Sequence, residues 1–538
     1  MKIKRIISAV LALSVVASLS AACGKRKTVE IDENGNKTYI YTFNMYTQDD
    51  NEYPEGENTV YNQFIKDKFH IKFEYDRIPR TDWETKTNTY FAVGSEPDIT
   101  IGGKEPNYKS WAKDMYLAPI DPDKLPNWKA LFGENADKVI QLASSSDGNL
   151  YYLPTVRQEK TQMCWVYRED VFEEMGLDFP QTADEFYDVC KKIKEKYPDK
   201  VIISSNGQKM SSLTGFFQMF WIPELILSNQ SCVDPITGEF VPYAMTTDNA
   251  REMYKYINKL YKEGILDKQI LSIEKDTFYQ RCASNNAFLT YNYVYNVDQF
   301  TSKTEVNGNT GKWAWSGDMV TAYPDKGTIF KKDPSYSNWG PAFSAKLGKD
   351  QERYDAILAY YDWCASPEGQ LFTTYGLTDE EAAKYGAEGS YEMINGQPEV
   401  KEGWYHDVTN PKGNKINKVY GTLANTFIKH PKQFQEVRGN EIDKLWDAFM
   451  AHDNYYYFDE FAMRYTDDEE DKYTDLVTAL DSKRDEYMAR FMMGESDPNS
   501  DKDWNQYISD MKKVGLDKFI ALQTKVYERT KAEIEAGK

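Results

Sequence analysis

"PDITIGG", residues 97–103, decides the reading of the fold. It is a short apolar strand that starts at Asp98 and stops at Gly102-Gly103. Its partners lie upstream. "TDWE" sets Thr81 three residues before Glu84, the spacing of a capping box, and the predicted helix runs past Tyr90 and Phe91 to Gly94. Before it, "HIKFEYD" (70–76) alternates Ile71, Phe73 and Tyr75 and predicts a second strand. Val60, Tyr61, Phe64 and Ile65 form a helical stripe ending near Phe69, and Thr38–Met45 is aromatic and β-branched, a first strand. Strands alternating with helices predict a parallel sheet with right-handed crossovers, an α/β fold. In such sheets ligands lie beyond the carboxyl ends of the strands. Those ends are Tyr46–Tyr53, the neighbourhood of Arg77, and Gly102–Tyr108.

A second α/β region follows. Asp170 and Glu173 open a short helix that Gly176 ends, and Thr182 with Glu185 forms another capping box. Phe186, Val189, Cys190 and Ile193 then recur at helical spacing, "VIISS" (201–205) reads as a buried strand, and Met253, Ile257, Leu260 and Tyr261 line a helix closed by Gly264. "AFLTY" (287–291) is a strand that continues into "TYNYVYN" (290–296). If the strand is extended throughout, Tyr291, Tyr293 and Tyr295 project from one face and Asn292 and Asn296 from the other. Two readings stay open: an aromatic ladder inside a core, or a wall for a flat ligand such as a sugar ring. Tyr354–Cys364 and Lys512–Glu535 predict later helices.

The N-terminus bears on location. Lys2, Lys4 and Arg5 precede an uncharged run, Ile6–Ala22, which closes on Ser20-Ala21-Ala22-Cys23. A basic start, an apolar stretch and small residues before the break predict an export signal. The ending resembles a bacterial lipobox, with Ser20 where that pattern prefers Leu, and would make Cys23 a lipidated N-terminus. An ordinary signal peptide with an incidental Cys23 is the alternative. Two acyl chains suffice for stable anchoring where one does not. Cleavage would leave about 516 residues and take the formal charge from -20 to -23. Gly24–Lys37 is polar and reads as a flexible tether. Such acidity argues against a nucleic-acid partner.

Composition and motifs exclude several classes. Cys164, Cys190, Cys232, Cys282 and Cys364 are widely spaced with no C-x-x-C pair, and read as buried thiols rather than a disulfide framework. The four histidines, His70, His406, His430 and His452, show no metal-ligand spacing, and no metal or cofactor is expected. The chain has no G-x-S-x-G, H-E-x-x-H or EF-hand loop, and "GNTGKW" departs from a P-loop at its first glycine and at Trp313. The positive signal is aromatic: 40 Tyr, 26 Phe and 12 Trp, an excess that suits a surface offering flat apolar faces with polar tips.

Several segments resemble the extracellular solute-binding lipoproteins of carbohydrate-type ABC transporters. They are "SEPDITIGG" (95–103), "DGNLYYLPTVR" (147–157), "WVYREDVFEEMGLDFPQTADEF" (165–186) and "YKEGIL" (261–266). "ASPEGQLFTTYG" (365–376) and "YGAEGSYE" (385–392) follow, and "FMMGESDPNSDKDWNQYISDMKKVGLDKFI" (491–520) resembles the ending of the larger, oligosaccharide-associated branch. The resemblance implies a two-lobe, type II periplasmic-binding-protein-like fold with ligand between lobes that close on hinges. It implies a signal peptide over 1–22 and a lipidated N-terminus with tether over 23–37. Residues 38–155 and 336–420 would form one lobe, 156–335 the other, and 421–538 mainly the second lobe with closing helices. Crossings are expected near Leu153–Trp165, Tyr323–Phe343 and Tyr420.

The function implied is a non-enzymatic, monomeric receptor, anchored to the outer face of the cell membrane. It would capture an oligosaccharide and pass it to permease subunits. Peptide binding or glycan degradation are the alternatives. Candidate ligand residues are Tyr46, Asp49, Asp50 and Tyr53 after the first strand, and the Gly103 turn with Tyr108 nearby. Arg157 could fork onto hydroxyls or form a salt bridge. Trp221 and Trp339 are either platforms or core rings. Tyr291 is expected in the core, and Tyr293 and Tyr295, with Asn292, at the ligand.

Overall fold

The strand Lys37–Asp49 organises the N-terminal part, with Ile40, Phe43 and Met45 buried along it. The computed structural model describes residues 26–31, 37–49, 58–79, 82–103, 105–145, 147–156, 160–205, 212–222, 232–306, 308, 311–332, 336–337, 340–405, 414–421, 430–435, 439–458 and 463–535. The strands that matter below are, in chain order, β1 (Lys27–Ile31), β2 (Lys37–Asp49), β3 (Ile71–Pro79), β4 (Ile99–Thr100), β5 (Thr155–Val156), β6 (Met163–Arg168), β7 (Leu289–Tyr293), β8 (Trp313–Trp315), β9 (Tyr336–Ser337) and β10 (Ala342–Phe343). Two compact units divide the chain: Met1–Val156 with Tyr336–Gln433, and Arg157–Ser335 with Phe434–Lys538.

In the first unit β2 runs parallel to β3, with Tyr41–Asp49 opposite Ile71–Pro79, and parallel to β4, with Met45 and Tyr46 opposite Ile99 and Thr100. The helices Val60–Phe69 and Trp83–Ala92 make the two crossovers, so the β-α-β-α-β run is present. Strand β10 returns from far along the chain and pairs antiparallel with β4. Thr59 caps the first helix by accepting from the Asn62 amide. The second helix departs from expectation: its N-cap is Asp82, which makes no side-chain cap bond, and Thr81 lies outside the described residues.

The polar stretch before Lys37, read as a tether, contains a strand. Lys27–Ile31 pairs antiparallel with the amino end of β2, Lys27 opposite Tyr41 and Ile31 opposite Lys37. Val29 and Ile31 are β-branched residues at alternate positions among charged ones, and the long first strand leaves an edge for them to pair with.

The second unit centres on an antiparallel sheet in the order β8-β6-β7. "VIISS" is buried at Ile202 and Ile203 but forms no strand there; Ile203 makes only single parallel bridges to Leu266 and Leu289. The helix Glu169–Met175 ends at Gly176 in the left-handed region, φ 61°, and Ala183–Lys196 starts on the Thr182–Glu185 capping box. The helix Asp248–Lys262 buries Met253, Tyr254, Ile257 and Leu260. The C-terminal helices pack against it and against the turn before it: the Asn258 amide donates to the Phe491 carbonyl at 2.6 Å, and the Tyr507 hydroxyl donates to the carbonyl of Met245, in the turn Ala244–Thr246, at 3.0 Å.

Candidate functional site

In the first unit, β3 and β4 lie on opposite sides of β2, so the strand order reverses beside β2. A parallel sheet opens a crevice at the carboxyl ends flanking such a reversal. The backbones of Tyr46 and Asp49 lie on the last positions of β2, and Asp50 and Tyr53 lie outside the described residues.

At the end of β4 the structure corrects the reading of the Gly103 turn. The space over Gly103 is not left for a ligand backbone contact, because a Cβ there would sit 2.6 Å from the Tyr108 ring. Tyr108 itself is fully buried. Its hydroxyl accepts from the Gly103 amide at 3.0 Å and donates to the Gly340 carbonyl at 3.0 Å, and its ring stacks on Tyr152 at 4.7 Å. The glycine therefore admits an internal tyrosine, and burial pushes that phenol well above its ordinary pKa.

In the second unit the site is built at the end of β7. The strand stops at Tyr293, and Val294–Asn296 form a 3₁₀ turn that leads into the helix Val297–Val306. Asn292 accounts for the stop. Its side chain is buried, and its Oδ1 accepts from the Tyr293 amide at 2.8 Å and from the Asn296 side-chain amide at 2.9 Å. Side-chain oxygens that capture nearby backbone amides compete with strand pairing. Asn292 is thus engaged in shaping the turn, and Tyr295 is not on the strand. The turn folds Tyr295 back so that its ring stacks on Tyr293, centroids 5.2 Å apart and planes 18° apart. Both rings are half-buried.

Tyr291, two positions earlier, belongs to the core as expected. It is edge-on to Trp165 at 5.5 Å and its hydroxyl reaches the buried Gln218 side chain and the Met163 carbonyl. Gly215 makes this possible, since a Cβ there would fall 2.6 Å from Trp165 and 2.8 Å from Tyr291.

Trp221 is 6% exposed and lies in the left-handed region at φ 58°. Its indole donates to Asp234 at 3.1 Å, and the Lys326 ammonium stands 3.9 Å from the ring while bonding the same carboxylate at 3.1 Å. Burial would raise the Asp234 carboxyl, but the Thr237 and Ile236 amides, the indole and Lys326 hold it down at about 2. One face of this ring is therefore covered by an internal cation. Arg157 and Trp339 lie outside the described residues.

Charged groups that the sequence did not single out gather near the Tyr293–Tyr295 turn. The helix Asn440–Met450 packs on that turn. From it Asp443 accepts from Lys160 at 2.7 Å and from the Gln435 amide at 2.7 Å, and Glu441 accepts from the Trp315 indole at 3.1 Å. Burial raises the Asp443 carboxyl, but these hydrogen bonds outweigh it and keep its pKa below the ordinary value. A paired, ionised carboxylate on a helix that packs on the turn of stacked phenol rings brings hydrogen-bond acceptors and a flat apolar face into one region. Nothing in the sequence separates Asp443 from the other acidic residues, which with it number 85. Among the described residues no group of three or more His, Cys, Asp or Glu could hold a metal ion, and no helix is long and apolar enough to cross a membrane.

Residues 54–263 match the family described as bacterial extracellular solute-binding protein. This stretch belongs to that family. Lipoprotein LipO of Bacillus subtilis is 28% identical over 320 residues, which span 56% of this chain and 59% of that protein. The fructooligosaccharide ABC transporter substrate-binding protein FusA of Streptococcus pneumoniae is 25% identical over 217 residues, 35% of this chain and 38% of that one. The chain thus aligns with less than two thirds of either relative. Among solved structures, the alginate-binding protein AlgQ2 without calcium ion matches with a TM-score of 0.73 at 18% identity, covering 90% of this chain and 98% of that one. FusA of S. pneumoniae in complex with kestose matches with a TM-score of 0.69 at 16% identity, covering 91% and 100%. The fold of this chain is periplasmic-binding-protein-like, as in these structures.

Proposed function

We propose that this solute-binding protein captures an oligosaccharide outside the cell and delivers it to the permease of an ABC transporter, without chemistry of its own. The observation that carries the reading is the stacked, half-buried Tyr293–Tyr295 pair, on whose turn the helix that bears Asp443 packs. Sugars present apolar ring faces and equatorial hydroxyls, which a phenol face and a carboxylate accept respectively. Support comes from the relatives, since FusA is by name a fructooligosaccharide-binding transporter protein and a second fold neighbour binds alginate. The remaining candidates are Tyr46, Asp49, Asp50, Tyr53, Arg157 and Trp339.

The same reading makes the two units lobes that close on hinges near the three points where the chain changes unit, 156/157, 335/336 and 433/434. It makes 1–22 a signal peptide and Cys23 the lipidated residue of a monomeric protein held at the outer face of the membrane, in keeping with the relative LipO, a lipoprotein. The test is a thermal-shift screen with defined fructo-, manno- and uronate oligosaccharides, followed by chromatography of the glycan after incubation. A saturable rise in melting temperature with the glycan recovered intact is expected, because a ligand bound only by the folded state stabilises it. Stabilisation by peptides alone, or release of new reducing ends, would overturn the reading.

A further inference from the structure

The register of β1 on β2 puts Val29 opposite Tyr39, with Lys27 opposite Tyr41 and Ile31 opposite Lys37. Residues two apart on a strand share a face, so Lys27, Val29 and Ile31 lie on one side of the pair with Lys37, Tyr39 and Tyr41. This side faces solvent: Val29 is 47% exposed, Ile31 64% and Tyr39 45%. The other side holds the buried Ile40 and the half-buried Thr28 and Thr38. The solvent-facing side thus joins two aliphatic residues and a tyrosine, bordered by Lys27 and Lys37; Glu352 reaches its Lys27–Tyr41 end from the helix Gln351–Ala365, pairing with the Lys27 ammonium at 2.6 Å and accepting from the Tyr41 hydroxyl. Glu30, on the opposite side, pairs with Lys66 at 2.8 Å.

An exposed apolar strip at a sheet edge is a liability unless something covers it. The sequence says what lies next to it. The uncharged run Ile6–Ala22 ends at Cys23, and β1 begins only four residues later, at Lys27. Four residues reach at most about 15 Å when fully extended. Whether Cys23 carries acyl chains or the apolar run is retained, the start of β1 is held within about headgroup distance of the bilayer. Tyrosine at the headgroup level, short apolar side chains beneath it and a bordering lysine such as Lys37 are the composition of an interfacial surface. The chain as a whole carries a net charge of -20, which an anionic leaflet repels; Glu352 neutralises Lys27, so of the two bordering lysines Lys37 is the one left to meet the headgroups.

We infer that the Val29–Ile31–Tyr39 face of the β1–β2 pair rests on the lipid headgroups and fixes how the protein sits on the membrane. The inference depends on the anchoring reading of the N-terminus given above. Its occupant is the lipid surface, not a protein.

The experiment uses the full lipidated chain in liposomes of three parts phosphatidylcholine to one part phosphatidylglycerol. Cys232, the one half-exposed thiol among the described cysteines, is replaced by Ser, since the others are buried. An environment-sensitive probe is attached at Ile31→Cys, or at Tyr39→Cys if the first variant loses its melting transition. The same probe at Val93→Cys, 70% exposed in the same unit, reports solvent. The probe at residue 31 should shift to the blue on flotation with the vesicles and lose about half its emission to a shallow spin-labelled lipid, while the probe at residue 93 stays wet. Flotation with a probe at 31 as wet as that at 93 would overturn the inference and leave the anchor standing. Failure to float would overturn both. Shielding seen only when the permease is present would assign the face to a protein and overturn its assignment to lipid.

Discussion

Val156 and Tyr336 stand opposite each other in the antiparallel β5–β9 pair, and they are the residues at which the chain leaves the first unit and re-enters it. Thr155 faces Ser337 in the same ladder, Tyr152 bridges to Ala342, and the Leu153 amide donates to the Pro341 carbonyl at 2.9 Å. The outgoing and returning passes therefore leave as one two-stranded ribbon.

Gly340 fixes how closely the two passes approach. A Cβ at that position would fall 1.6 Å from the Leu153 carbonyl oxygen, a backbone atom that cannot swing aside. Gly340→Ala should push the passes apart and cost about 1–3 kcal/mol in stability, as overpacking does. Chemical denaturation checks it, and an unchanged midpoint would show that the ribbon yields freely.

The three tyrosines of "TYNYVYN" should separate into two classes. Tyr291→Ala removes a core ring and a buried hydroxyl contact, and should cost about 3–5 kcal/mol. Tyr293→Ala and Tyr295→Ala should leave the melting transition nearly in place yet weaken oligosaccharide binding about tenfold or more, the equivalent of about 1.4 kcal/mol. Calorimetric titration beside thermal melting distinguishes the classes. Unchanged affinity in both of the latter variants would return the whole stretch to packing.

What the sequence made legible follows from which forces act locally. The β-α-β-α-β run was readable because Ile71, Phe73 and Tyr75 repeat with period two and the Val60–Ile65 stripe with the helical period. The capping box of Thr182 and Glu185 was readable because both partners lie within one turn. The end of β7 was not. It depends on the Asn292 side chain bonding Asn296 and the Tyr293 amide, and an Asn in an alternating aromatic stretch carries no mark of that choice. Likewise Gly103 read as an open turn because its neighbour in space, the Tyr108 ring, is fixed by contacts to Tyr152 and Gly340 far along the chain. Asp443 stayed hidden for the same reason, its partner Lys160 being 283 residues away.

Asp98, the acid in "PDITIGG", has a structural partner that its motif does not show. Its Oδ2 accepts from the Arg353 guanidinium at 2.8 Å and from the Asn44 amide at 3.1 Å, with both side chains almost fully buried. Arg353 also donates to the Thr42 carbonyl at 2.6 Å, which ties the helix Gln351–Ala365 to β2 and β4. Arg353→Met leaves a buried carboxylate without its cation and should cost about 3–5 kcal/mol. Adding Asp98→Asn to that variant should recover part of the loss. Strictly additive effects in the double-mutant cycle would mean that the pair is not coupled.

The C-terminal helices supply a pH dependence whose sign is fixed. Glu469, at the start of the helix Asp467–Met493, accepts from Arg529 at 2.7 and 2.8 Å, from Lys525 at 2.9 Å and from its own Thr466 cap amide. The hydrogen bonds from Arg529 hold its carboxyl well below the ordinary glutamate range, against the opposing effect of burial. A carboxylate whose pKa is lower in the folded chain stabilises that chain fully above its unfolded value, about 4.3, and loses the contribution as pH falls toward the folded value. Glu469→Gln should therefore melt at a lower temperature than the parent at pH 7, and the gap should begin to close below about pH 4.3. Melting curves of both proteins between pH 7 and 3 read this directly. A gap that stays constant across that range would mean that Glu469 acts through packing and not through its charge.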